Sequence, residues 1–93
     1  MLFHFENAEE LSKLNVDFIR TDLDVAITFV EIARQTQERE KAIRNLNNAR
    51  KAYETVLLYL RVATLNHFEH EYIERKLGLL KSGLLRQGEA DLP

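Results

Sequence analysis

Cysteine and tryptophan are absent from this 93-residue chain, proline occurs once, and glycine occurs three times. Without cysteine there is no disulfide framework, no thiolate nucleophile and no cysteine-bound zinc. The one proline is the last residue, Pro93, and the glycines (Gly78, Gly83, Gly88) all follow residue 77. Everything before them therefore lacks a strong helix breaker and lacks turn dipeptides. No run of about 18 apolar residues occurs, so no transmembrane helix is expected. The opening Met1-Leu2-Phe3-His4-Phe5-Glu6 is apolar but has no basic leader and no small-residue cleavage site, so it does not read as a signal peptide. The expected compartment is the cytoplasm, which suits a cysteine-free chain.

What is present is ordinary for a globular domain: 45% apolar residues, 30% charged residues and a net charge of −2. A chain of this length buries one core. Leu, Glu, Arg and Ala are the commonest residues, which favours helix throughout. The expected fold is all-α, an antiparallel up-down-up three-helix bundle, with room for a short extra helix at the N-terminus. Residues 1–93 read as a single helical domain, with the core in about 15–86 and a mobile tail in 87–93.

The first helix is expected over about Asn15–Thr36. Val16, Ile19, Leu23, Ala26, Val30 and Ala33 form one helical seam. A second apolar stripe, Phe18, Val25, Phe29 and Ile32, runs beside it, so this helix needs more than one neighbour. Thr21-Asp22-Leu23-Asp24 resembles a capping box and offers a later start. Asn7-Ala8-Glu9-Glu10 is a similar box and predicts a short leading helix through Leu11 and Leu14. The second helix is expected over about Gln37–Leu65, with the seam Ala42, Leu46, Ala49, Tyr53, Val56, Leu60, Ala63. Its first half carries Arg44 and Lys51 opposite the seam. In its second half Leu58, Tyr59 and Val62 also point away from the seam. Asn66-His67-Phe68-Glu69 is an Asn cap with Glu three residues on, which starts a third helix. The seam of that helix is His70, Ile73, Leu77, Leu80, Leu84, with Gly83 or Gly88 at its C-terminal end.

Charge is segregated along the chain. Residues 1–31 carry a net −5, residues 32–65 a net +4 and residues 66–93 a net −1. Opposite blocks in one small domain attract each other or set the orientation of a partner. Nucleic-acid binding is not expected, because the pI is about 5.9 and no helix-turn-helix turn is visible. No phosphate loop, nucleophile elbow or paired catalytic carboxylates are visible, so no enzymatic activity and no cofactor are expected. Glu31 is a candidate for an ion pair with a base of the second helix. His67, His70, Glu71 and Glu74 share neighbouring faces of the third helix. That spacing makes His67, His70 and Glu74 a candidate metal cluster. The glutamate-histidine pairing of di-iron bundles is missing, and a solvated first turn with His70 partly in the seam explains the same residues.

The most informative feature is an excess of apolar residues beyond one three-helix core. Either the N-terminal residues 1–14 fold back over it, or a second chain covers it. The expected interaction surface is Phe29, Leu58, Tyr59 and Val62. The expected partner is a second copy of the chain, as a homodimer, or a helix of another protein; no membrane partner is expected.

Asn48-Ala49-Arg50-Lys51-Ala52-Tyr53-Glu54-Thr55-Val56 resembles the second helix of a tetratricopeptide-like hairpin, with Ala49 and Ala52 allowing close approach beside Tyr53. Asp22-Leu23-Asp24-Val25-Ala26-Ile27-Thr28-Phe29-Val30-Glu31-Ile32-Ala33 would be its first helix. The resemblance covers about residues 22–60. The repeat's usual glycine, its closing proline, its first-helix Trp and Tyr, and a second copy are missing. It implies a peptide-binding adaptor that uses the groove between the first two helices. The chain also resembles the microtubule-interacting and trafficking type of three-helix bundle. The same two segments are similar to a pattern of small bacterial helical proteins without an assigned activity. That last resemblance implies a fold and no function.

Overall fold

The computed structural model describes the backbone over residues 8–93 and the side chains from residue 13 onward. Three helices follow one another: α1 (Ala8–Gln35), α2 (Arg39–Leu60) and α3 (His67–Arg86). All the secondary structure of the described residues is helical, and the architecture is the expected three-helix bundle. Helix α2 runs antiparallel to α1, since Phe18 near the start of α1 meets Tyr59 near the end of α2. Helix α3 runs parallel to α1, since Arg20 meets Tyr72 and Asp24 meets Lys76.

Helix α1 is one uninterrupted element of 28 residues, about 42 Å at 1.5 Å per residue. The Thr21 box does not start a helix. Asp22 and Asp24 lie within continuous helix, because the apolar seam on both sides of them runs on without a breaker. Nor does a separate leading helix form after residue 8, because α1 passes through Leu11 and Leu14 without a break. Asn7 and the rest of the N-terminal segment lie outside the described residues, as does any fold-back of residues 1–7. The seam is as expected. Val16, Ile19, Leu23, Ala26, Val30 and Ala33 are all buried.

The α1–α2 connection is three residues long. The Thr36 backbone N–H still donates to Ile32, and the Thr36 hydroxyl accepts from the backbone N–H of Glu38 at 3.2 Å. That local turn replaces a side-chain cap, which Glu38 does not supply. Helix α2 ends at Leu60, five residues earlier than expected. The chain tightens there, with both Val62 and Ala63 donating to the Tyr59 carbonyl. Six residues are then needed to reverse direction before α3. The reversal ends on the expected capping box. The Asn66 side chain accepts from the Glu69 backbone at 2.8 Å, and the Glu69 carboxylate accepts from the Asn66 backbone at 3.0 Å. Asn66 must be extended to do this, which no α-helix running through it would allow.

One cluster of buried side chains joins the three helices: Ile19, Leu23, Ala26 and Val30 from α1; Ala49, Tyr53 and Val56 from α2; Ile73, Leu77, Leu80 and Leu84 from α3. No polar or charged residue is fully buried among the described residues. Helix α1 packs most extensively on α2 and less on α3, while α2 and α3 scarcely meet. The C-terminal segment lies against α2. Arg50 donates to the carbonyls of Ala90 at 2.8 Å and Asp91 at 3.2 Å, and the Tyr53 hydroxyl donates to that of Pro93 at 2.7 Å. Leu92 packs on the core cluster. Burial pushes the Tyr53 phenol above its ordinary range. Gly88, with φ of +92°, makes the turn out of α3 that a residue with a side chain would resist.

The glycines of α3 have different surroundings, and substitution separates them. A Cβ at Gly78 would meet nothing within 4 Å, whereas one at Gly83 would come within 3.0 Å of Val30 Cγ1. Gly78→Ala should stabilise by about 1 kcal/mol and raise Tm by roughly 4–8 °C. Gly83→Ala should leave Tm at or below wild type, because the α1–α3 contact must open to admit it. Thermal melts followed by circular dichroism check both.

Candidate interaction surface

An α-helix can bury only the arc that faces its neighbours. In α1 that arc is the seam, and the second stripe lies about a quarter-turn or more away from it. The stripe is therefore left toward solvent along its outer edge. Leu14, Phe18 and Val25 are exposed, while Phe29 and Ile32 are half-buried. Phe29 also packs against the core cluster, so the exposed aromatic of α1 is Phe18 rather than Phe29.

The other three expected residues stand in the open. Leu58 is 57% exposed, Tyr59 37% and Val62 69%. The Phe18 and Tyr59 rings meet at a centroid distance of 4.7 Å and a tilt of 40°. That contact joins the stripe of α1 to the end of α2. Leu14 lies one turn before Phe18 on α1, and Val62 three residues after Tyr59. Val62 lies beyond the last residue of α2, where the early helix end carries it outward.

Asp22 belongs to this stripe by spacing, four residues after Phe18 and three before Val25. Burial holds its carboxyl above the ordinary carboxylate value. Asp17 is exposed and lies seven residues before Asp24, on the side of α1 that faces α3. On α2, Arg44, Lys51 and Leu58 recur every seven residues, as do Lys41, Asn48, Thr55 and Val62. The outward side of α2 is thus basic over its first half and apolar over its second. Lys41, Arg44 and Lys51 are exposed and make no salt bridge among the described residues.

The remaining sequence candidates are more dispersed. His67 Nε2 lies 3.1 Å from Glu71 Oε1, on an exposed turn. His70 is exposed rather than partly in the seam, because the core of α3 begins at Ile73. Among the described residues no three His, Cys, Asp or Glu side chains converge on a possible metal position, and His67, His70 and Glu74 do not form such a set. Glu31 pairs within its own helix with Arg34 at 2.9 Å, not with α2. Arg34 holds the Glu31 carboxyl below its ordinary value by hydrogen bond and charge. No described helix is long and apolar enough to cross a membrane.

Sequence reasoning missed a second feature. Arg20 stacks over Tyr72 at 4.7 Å, with Arg75 and Lys76 at the same ring. Phe68 stands beside it 80% exposed and lines a small open recess with Arg20, Glu69 and Tyr72. The available signal was the spacing of Phe68, five residues before Ile73 and so off the seam. Compared with known proteins, the chain matches no family model, no curated protein and no solved structure.

The raised Asp22 value has a definite consequence. The folded protein binds that proton more tightly than the unfolded chain does. Asp22 therefore favours folding most in acid, and its contribution falls as pH rises through the raised value. Asp22→Asn should raise Tm at pH 7, and the gain should disappear as pH falls below the ordinary aspartate range. Melting curves of both proteins across that range measure it.

Proposed function

We propose that this chain is a non-enzymatic helical interaction and oligomerisation module that acts through the outer face of the α1–α2 hairpin. The observation that carries the reading is the contact between the exposed Phe18 and Tyr59 rings, with Leu14, Leu58 and Val62 also exposed on the same two helices and at the end of α2. Single exposed apolar residues are normal on a protein surface, but a contiguous group is an attractive surface for another apolar face. Leu14, Phe18, Leu58, Tyr59 and Val62 belong neither to the buried core cluster nor to the half-buried side chains packed against it, which supports a value in association. The tetratricopeptide-like resemblance over residues 22–60 favours the same α1–α2 groove.

This reading is tested on dilute protein with a dye that fluoresces on apolar surface. Wild type should bind the dye. The double variant Leu58→Asp, Val62→Asp should lose most of the signal while its helical circular dichroism is unchanged and its Tm stays within a few degrees. An unchanged dye signal would contradict the reading. So would collapse of the variant's fold, because it would place these residues in the core.

A further inference from the structure

We propose that residues 89–93 occupy, as an intramolecular ligand, a peptide-binding site on α2. In their place the site accepts a non-helical segment of another protein that carries a leucine at the position of Leu92. This site draws on none of the exposed Leu58, Tyr59 and Val62, so it stands apart from the association reading of α1 and α2.

The site is built on Arg50 and Tyr53. Arg50 lies one turn before Glu54, whose carboxylate accepts from Nε at 3.2 Å and steadies the guanidinium. Its two terminal nitrogens then face the segment. One donates to the Ala90 carbonyl at 2.8 Å and the other to the Asp91 carbonyl at 3.2 Å. The Glu89 carboxylate stands 4.0 Å from the same guanidinium. Tyr53, three residues along α2, donates its hydroxyl to the Pro93 carbonyl at 2.7 Å. These three hydrogen bonds end on main-chain carbonyls, which every peptide carries. The side chains of Ala90 and Asp91 are exposed, and Leu92 is the residue of the segment that packs on the core cluster. Recognition is thus of a backbone path with one leucine anchor, the division of labour by which main-chain bonds give affinity and a side-chain contact gives specificity.

The segment can leave without removing a member of the core. Every residue of the buried cluster lies at or before Leu84. Helix α3 ends at Arg86, and Gly88, at φ of +92°, turns the chain between that end and the segment. Three hydrogen bonds and one half-buried leucine stand against the entropy of ordering five residues, so the hold is weak. The tether supplies the rest. It presents the segment at an effective concentration on the order of millimolar, and docking in cis then implies a Kd in trans below about a millimolar. Asp91 also holds φ of +57°, a left-handed conformation with a cost for any residue but glycine. The chain's own segment is therefore an imperfect occupant, and a partner segment with glycine at that position suits the site better.

The test uses the full chain and a fluorescein-labelled synthetic peptide of residues 88–93, Gly-Glu-Ala-Asp-Leu-Pro. Leu92→Asp removes the anchor of the chain's own segment and should leave the helical circular dichroism unchanged. By fluorescence anisotropy that variant should bind the peptide about ten times more tightly than wild type, whose site is filled. Adding Arg50→Ala to the variant should weaken peptide binding about tenfold. A peptide carrying Asp91→Gly should bind about threefold more tightly than the native one, and a peptide carrying Leu92→Asp should not bind. Loss of the helical signal in Leu92→Asp would overturn the proposal, because the segment would then be an inseparable part of the fold. A folded Leu92→Asp chain that binds no peptide at millimolar concentration would overturn it too. Equal binding by wild type and Leu92→Asp, or binding indifferent to Arg50→Ala, would place the peptide elsewhere on the protein and remove the site.

Discussion

Everything in this fold depends on the burial of one stripe of α1. Ile19, Leu23, Ala26 and Val30 share one buried cluster with side chains of both other helices, and α2 and α3 scarcely touch each other. Helix α1 is the shared wall of two helix pairs. Each pair is an ordinary apolar seam worth a few kcal/mol for each large side chain it buries. Without the α1 stripe, α2 and α3 would keep only their limited contact with each other. The close passage of Gly83 by Val30 belongs to the same constraint, since α3 approaches α1 where it carries no side chain.

A helix used as a shared wall still has a third side. In α1 that side carries Phe18, Val25 and Phe29 rather than charges alone. Helices α2 and α3 lie over the seam, and the C-terminal segment lies against α2, where Arg50 and Tyr53 hold its carbonyls. Leu92 of that segment packs on the core cluster. Among the described residues, Phe18 and Val25 on the third side of α1 are exposed.

Much of this was legible in the sequence. The seam of α1, the buried Ile73, Leu77, Leu80 and Leu84 of α3, and the Asn66–Glu69 box all follow from spacing and hydrogen-bonding chemistry. Leu58, Tyr59 and Val62 could be placed off the seam for the same reason. Other features depend on tertiary contacts that no local pattern encodes. The end of α2 at Leu60 is set by the reversal into the Asn66 cap, not by a breaker. The Thr21 box looks like a helix start only until the core on both sides of it is assembled. The order of residues 89–93 rests on Arg50 and Tyr53, about forty positions away. Phe29 was harder still. Its stripe lies at the edge of the buried arc, and a small rotation of the helix decides whether it or Phe18 shows more surface.

The central claim is that the chain is an interaction and oligomerisation module acting through the outer face of α1 and α2. Its most direct measurement is molar mass by light scattering during size exclusion, over a concentration series from micromolar to millimolar. The account predicts a mass that climbs from 10.9 kDa toward twice that value as concentration rises. A mass that stays at 10.9 kDa across the whole series would contradict it.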